Sequence, residues 1–263
     1  MSHVTAPYPP GTPCWVDLIA PDQRLAVDFY RRVLHWEAEV LPHGSGHRTV
    51  FRFKGRPVAG INTIRNQDGS IPELSPAAVW TTCLATKDVD AAAEAVSVDG
   101  GAVLVPGADR TGISRTALVR DPSGAVFGLW QADAEAALPG AAFVGEVGSF
   151  AWNELYTADP AAVAPFYSTV LGIEVTPVES APGIYVFTVD GRPVAALSDS
   201  ENLPRSAYPT WLTYFAVADL DAARTELGRA GGSVLGDTFD TPLGRAGVAR
   251  DPQGAFFGLV QLP

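Results

Sequence analysis

Two cysteines and one methionine in 263 residues leave this chain almost without sulfur. Cys14 and Cys83 cannot build a disulfide framework and form no C-x-x-C pair, so the fold must rest on an apolar core, and a reduced, cytoplasmic setting fits. Histidine is nearly as scarce. All four, His3, His35, His43 and His47, lie in the first 47 residues, so the second half has no imidazole to offer a metal or a proton. Basic charge is short as well: 18 Lys and Arg stand against 29 Asp and Glu, for a net charge of −11 and a pI near 4.7, with no basic run. The electrostatic footprint that nucleic acid or an anionic membrane requires is missing. No apolar span is long enough for a membrane helix, and the N-terminal MSHVTAPYPPGTP has Pro and Gly where a signal peptide needs an apolar run. The motifs G-x-S-x-G, G-x-G-x-x-G and G-K-[ST] are absent, which argues against a serine elbow and against nucleotide-dependent chemistry. The expectation is a soluble, unexported monomer or homodimer with a small-molecule partner.

What the chain does have is repetition. RDPSGAVFGLWQ, Arg120 to Gln131, returns as RDPQGAFFGLVQ, Arg250 to Gln261, with nine of twelve residues identical. Asp-Pro-x-Gly is turn chemistry, and the uncharged run after each turn reads as a buried strand closing a hairpin. Upstream, Cys14 to Ala20 reads as a strand and Asp22 caps a helix whose buried face is predicted to carry Leu25, Phe29 and Val33. Short strands follow at Glu37 to Leu41, Thr49 to Phe53 and Pro57 to Ile64. A second unit runs through a strand at Val79 to Ala85, a helix from Asp88 to Val98 and a strand at Ala102 to Val105. Trp152 then answers Trp15, Phe166-Tyr167 answers Phe29-Tyr30, Trp211 answers Trp80 and Asp251 answers Asp121. The offset drifts along the chain, as loop deletions between duplicated units would make it. The order is β-α-β-β-β four times: an α+β chain of two similar halves.

Four such units, with helices reading DFYRRVLHWE and PFYSTVLGIE and a closing DPxGAxFGLxQ, resemble the vicinal oxygen chelate superfamily, which includes glyoxalase I, bleomycin resistance proteins and extradiol dioxygenases. The likeness covers nearly the whole chain and is greatest to two-domain actinobacterial members, whose halves begin PCWVDL and WNEL as Pro13 to Leu18 and Trp152 to Leu155 do. With the Ala/Gly-rich stretch 132–148 read as a linker, it implies an N-terminal tail (1–12), a first domain (13–131) and a second domain (149–263). It also implies that paired units curl mixed sheets into two cups. Metal-binding members take His or Gln seven residues before the helix-capping Asp and Glu seven residues after the turn Asp. Here the first rule gives Trp15, Thr81, Trp152 and Leu212, and the second gives Gly128 and Gly258, none of them a ligand. No cofactor is therefore predicted, and the missing ligands disfavour a divalent metal.

Strand alternation sends residues i and i+2 to one face. If Trp15 and Trp152 face the cups, so do Asp17 and Glu154, which become the candidate catalytic acids. A carboxyl beside an indole either titrates near neutrality or pairs with an arginine such as Arg56, Arg192 or Arg115. The same alternation lines the first cup with Thr81, Cys83, Val126 and Trp130, and the second with Leu212, Tyr214, Phe256 and Val260. Asn153 should face the helices as a hydrogen-bonding staple, and His43 and His47 sit in a Gly-rich stretch read as a loop over the first cup. Such cups suit a small hydrophobic or aromatic metabolite, bound or transformed by metal-independent acid/base chemistry. The alternatives are a metal-dependent glyoxalase-like lyase or dioxygenase, a non-catalytic sequestration protein of the antibiotic-resistance type, and a structural protein whose cups are filled by side chains.

Overall fold

A computed structural model describes residues 4, 6–43, 46–62, 77–110, 113–133, 139–142, 144–199, 202–204 and 207–263. The first half runs β1 (Pro13–Ile19), α1 (Gln23–Leu34), β2 (Glu37–His43), β3 (Gly46–Phe53) and β4 (Arg56–Asn62). It continues through β5 (Val79–Ala85), α2 (Val89–Val98), β6 (Ala102–Arg110), β7 (Ser114–Arg120) and β8 (Val126–Ala132). The second half repeats the order with β9 (Phe150–Tyr156), α3 (Pro160–Leu171), β10 (Glu174–Pro177), β11 (Ile184–Val189) and β12 (Arg192–Ser198). It ends with β13 (Thr210–Val217), α4 (Leu220–Arg229), β14 (Ser233–Thr241), β15 (Gly244–Arg250) and β16 (Phe256–Gln261). Each half forms one eight-stranded mixed sheet, ordered β2-β3-β4-β1-β5-β8-β7-β6 and β10-β11-β12-β9-β13-β16-β15-β14.

The helices begin where the aspartates allow. Asp22 and Asp88 each accept two backbone N–H groups of the first turn, and Asp159 and Asp219 one each, satisfying donors that a helix start leaves orphaned. The buried face of α1 is Ala26, Phe29, Tyr30, Val33 and Leu34. Leu25, expected on that face, is exposed; the burial follows the row from Ala26 through Phe29, Tyr30 and Val33 instead.

The backs of the two sheets face one another, and both halves build each core. One cluster joins Tyr30, Trp36, Phe51 and Trp80 of the first half to Phe215 and Phe257 of the second. The other joins Phe127 and Leu129 of the first half to Phe166, Tyr167, Phe187 and Trp211 of the second. Each fully buried aromatic contributes about 1.5–3 kcal/mol. At the centre Asn153 Oδ1 accepts from the Thr82 and Thr213 hydroxyls at 2.9 and 3.0 Å; it is a staple as expected, but it ties strands of the two sheets together and not strand to helix.

The turn aspartates do more than shape turns. Asp121 Oδ1 accepts the N–H groups of Gly124 and Ala125, while its Oδ2 accepts the Tyr167 hydroxyl of the other half at 2.8 Å. Asp251 repeats this with Gln253, Ala255 and Tyr30 at 3.0 Å. Trp211 and Trp80 donate to the two tyrosine oxygens at 3.0 and 2.8 Å. The halves are thus laced by two crossed Trp–Tyr–Asp chains. The peptide between the sheets is docked too, with Ala141 and Ala142 donating to Cys14 and Pro57 carbonyls.

Candidate functional site

The outer face of the first sheet carries Trp15, Asp17 and Ile19 on β1, Thr81 and Cys83 on β5 and Gly128 on β8. A flat sheet in the observed order would separate β1 from β6 by four strand spacings, roughly 19 Å, beyond the reach of an arginine side chain. Yet Arg110, at the end of β6, places Nη1 3.2 Å from Asp17 Oδ2. The sheet is therefore curled into a cup. A cleft of about 360 Å3 lies in it, walled by aliphatic groups of Ile19, Val105 and Leu118 and by the polar groups of Asp17, Asn62, Thr81, Arg110 and Thr116.

Asp17 is the buried polar centre of this cleft, accepting the Trp15 indole N–H at 2.9 Å through Oδ1 while Arg110 holds Oδ2. Arg110 is itself positioned by donating from Nε to Thr116 Oγ1 at 3.0 Å, and its guanidinium lies 6.0 Å from the Trp130 ring. The arginine paired with Asp17 among the described residues is thus Arg110, which the sequence reading did not name. Arg115 is spent on Asp90 and Asp109 at the surface. Arg110 escaped the sequence reading because Pro106-Gly107 ended the predicted strand at Val105, whereas β6 passes through with one register shift before Val105 and one across Pro106-Gly107, and runs on to Arg110.

Of the residues predicted to line the first cup, Asp17, Thr81 and Cys83 do. Trp15 and Trp130 stack at 5.5 Å and are buried, forming floor and not wall. Val126 shares the face but lies at the rim, 36% exposed. The backbones of His43 and His47 belong to β2 and β3, not to a loop, with Pro42 opposite His47; their side chains lie outside the described residues.

The second sheet handles the same positions differently. Leu212, Tyr214 and Val260 are buried in a cluster with Tyr156, Leu203 and Ala246, and Trp152, Tyr208, Phe239 and Phe256 pack against it partly exposed. Glu154, on β9 where β1 has Asp17, is partly buried. Its Oε2 accepts the hydroxyls of Tyr156 at 3.0 Å and Tyr214 at 3.4 Å, and Ser198 adds a third hydroxyl. It has no ion pair among the described residues. Burial pushes its carboxyl above the usual range, and the three hydroxyls pull it partly back.

The donor set does not fit a family-type metal. A Cβ at position 128 would sit 2.5 Å from Cys83 Sγ, and one at 258 would run into the Tyr214 ring. The space a closing-strand glutamate would need is taken by a thiol in one half and a phenol in the other. The first-strand positions hold indoles, and the Trp15 N–H is already committed to Asp17. No group of three His, Cys, Asp or Glu converges among the described residues.

Among the described residues no helix is long and apolar enough to cross a membrane. Among curated proteins the chain is 36% identical over 258 residues to "Putative glyoxylase CFP32" of Mycobacterium tuberculosis, covering 97% of this chain and 96% of that one. It is 34% identical to "Anthracycline biosynthesis protein DnrV" of Streptomyces peucetius, covering 97% and 94%. The Mn(II)-bound glyoxalase of Novosphingobium aromaticivorans shares the fold with a TM-score of 0.63 at 14% identity, over 96% of this chain and 83% of that one. The 2,3-dioxygenase LapB of Pseudomonas sp. KL28 shares it with a TM-score of 0.60 at 15% identity, over 98% and 93%. The family model for the Glyoxalase/Bleomycin resistance protein/Dioxygenase superfamily matches residues 12–129 and 148–259. With both sheets accounted for in this way, the chain belongs to that superfamily.

Proposed function

We propose that the first-half cleft binds a small, flat and largely apolar organic molecule without a metal, and that Asp17 and Arg110 are its polar recognition pair. The observation that carries this reading is the cleft itself: about 360 Å3, aliphatic on most sides, with a carboxylate and a guanidinium side by side at its base. A ligand bearing a hydroxyl and a carbonyl on an aromatic frame would meet an acceptor in Asp17 and a donor in Arg110. The likeness to a protein named for anthracycline biosynthesis is in keeping with that chemistry. Thr81 and Cys83 stand beside the pair and set the width of the floor. Asp17 is the group placed to exchange a proton with a bound hydroxyl, so sequestration and acid/base turnover would use one geometry.

Calorimetric titration of chelator-treated protein with a dihydroxyanthraquinone tests this. Saturable binding is expected, unchanged by added Mn2+, Ni2+ or Zn2+, and at least tenfold weaker in Arg110→Ala, about 1.4 kcal/mol. Binding that requires a metal, or that ignores Arg110, would overturn the reading. Chromatography of the recovered ligand separates the two uses: unchanged material assigns sequestration and a new species assigns turnover.

A further inference from the structure

We infer that the second half holds a separate site for an organic ammonium ion, centred on the Glu154 carboxylate and walled by aromatic rings. The inference stands independently of the first-half cleft.

It rests on what the repeat leaves out. The β6–β7 hairpin pairs Asp109 with Arg115 and Arg110 with Ser114; the β14–β15 hairpin pairs Asp240 with Arg245 and Thr241 with Gly244. By this register Thr241 stands where Arg110 stands. Thr116, which holds Arg110 in place, is opposite Trp130, and Ala246 is opposite Val260 at the matching point. The second half has therefore lost the cation that neutralises the acid and the hydroxyl that aims it, but has kept the acid. Thr241 does not substitute, because its hydroxyl donates to the Gly244 carbonyl at 2.8 Å and accepts the Leu243 N–H, closing its own turn.

Glu154 is left with three neutral hydroxyl partners and no cation among the described residues, in a partly buried position where an uncompensated charge is costly. What surrounds it suits a cation. Trp152 and Tyr156 flank it on the same strand face, and Tyr214, Tyr208 and Phe256 belong to the same cluster, with Tyr156 and Tyr208 ring centroids 5.7 Å apart. Trp152, Tyr208 and Phe256 keep solvent-facing surface, so a ligand can reach the rings from outside. A carboxylate beside aromatic faces recognises an ammonium group through ion pairing and cation–π attraction together. A neutral molecule of the same shape gains neither.

The probe is phenethylammonium, with phenethyl alcohol as its neutral counterpart, titrated into the full chain at low salt and followed by calorimetry. Saturable binding of the ammonium is expected, with the alcohol at least tenfold weaker. Glu154→Gln should weaken the ammonium at least tenfold. Thr241→Arg, a partly exposed hairpin substitution that restores the missing cation, should do the same. Asp17→Asn and Arg110→Ala should leave this binding unchanged, which separates its failure from failure of the first-half reading. Absence of saturable ammonium binding, equal affinity for the alcohol, or wild-type affinity in Thr241→Arg would each overturn the inference.

Discussion

The two halves put an acid at one structural point and satisfy it in opposite ways. Asp17 is held by an indole N–H and a guanidinium that reaches across a curled sheet, and the space between remains an open cleft. Glu154 is held by three hydroxyls, two of them on the buried rings of Tyr156 and Tyr214, while the acid itself stays partly exposed. An ion pair needs only two groups and leaves room beside it, whereas hydroxyl satisfaction brings bulky phenols into the cup. The partner of the acid therefore decides what stands beside it, a guanidinium and an open cleft in the first half and buried phenols in the second.

Variants at equivalent positions can break or sharpen this contrast. The largest effects should be equal in the two halves: Asp121→Ala and Asp251→Ala each strand a buried tyrosine hydroxyl and two turn N–H groups, for a loss of about 3–4 kcal/mol by denaturant unfolding. A clear inequality there would show that the crossed chains are not equivalent. Next, Gly258→Ala drives a methyl into the rigid Tyr214 ring and should cost about 2–3 kcal/mol, whereas Gly128→Ala meets a single sulfur that can rotate and should cost about 1 kcal/mol. Cys83→Ala should rescue the latter.

Asp17→Asn releases a partly exposed arginine that water can resolvate, so its cost should be about 1 kcal/mol or less, read from the same unfolding curves. The smallest effect belongs to Glu154→Gln, and its sign depends on pH. Burial raises the folded carboxyl above its unfolded value, so the group favours folding at acid pH and that contribution is lost as pH rises through the raised value. Glutamine has no such loss. The variant's melting temperature relative to wild type should therefore climb as pH rises from the ordinary carboxyl value through the raised one; a constant difference would place Glu154 in ordinary solvent.

Much of the fold was legible because the repeat supplied each element twice and the capping aspartates marked all four helix starts. Alternation also found the right face for Asp17 and Glu154, since a strand's period leaves little choice once Trp15 and Trp152 are placed. What it missed lay across the sheet. Arg110 is 93 residues from Asp17, on a strand whose Pro106-Gly107 reads as an ending, and only sheet curvature brings the two together. The contacts of Asp121 and Asp251 were half visible: turn chemistry explains one carboxylate oxygen, but the tyrosine on the other comes from the opposite half. The packing of Tyr214 over Gly258 was hidden for the same reason, because it depends on strand neighbours that local pattern does not encode.

The crossed Trp–Tyr–Asp chains carry a consequence for how the polypeptide can be divided. Each half presents one tyrosine whose hydroxyl donates to the other half's aspartate, and one aspartate that accepts from the other half's tyrosine. That reciprocity is what a two-fold pair of half-length chains would display, with the single covalent join replacing symmetry. A gene severed between the sheets should yield two fragments that are poorly soluble apart and that reassemble one to one when co-expressed, each acting as the template on which its counterpart closes.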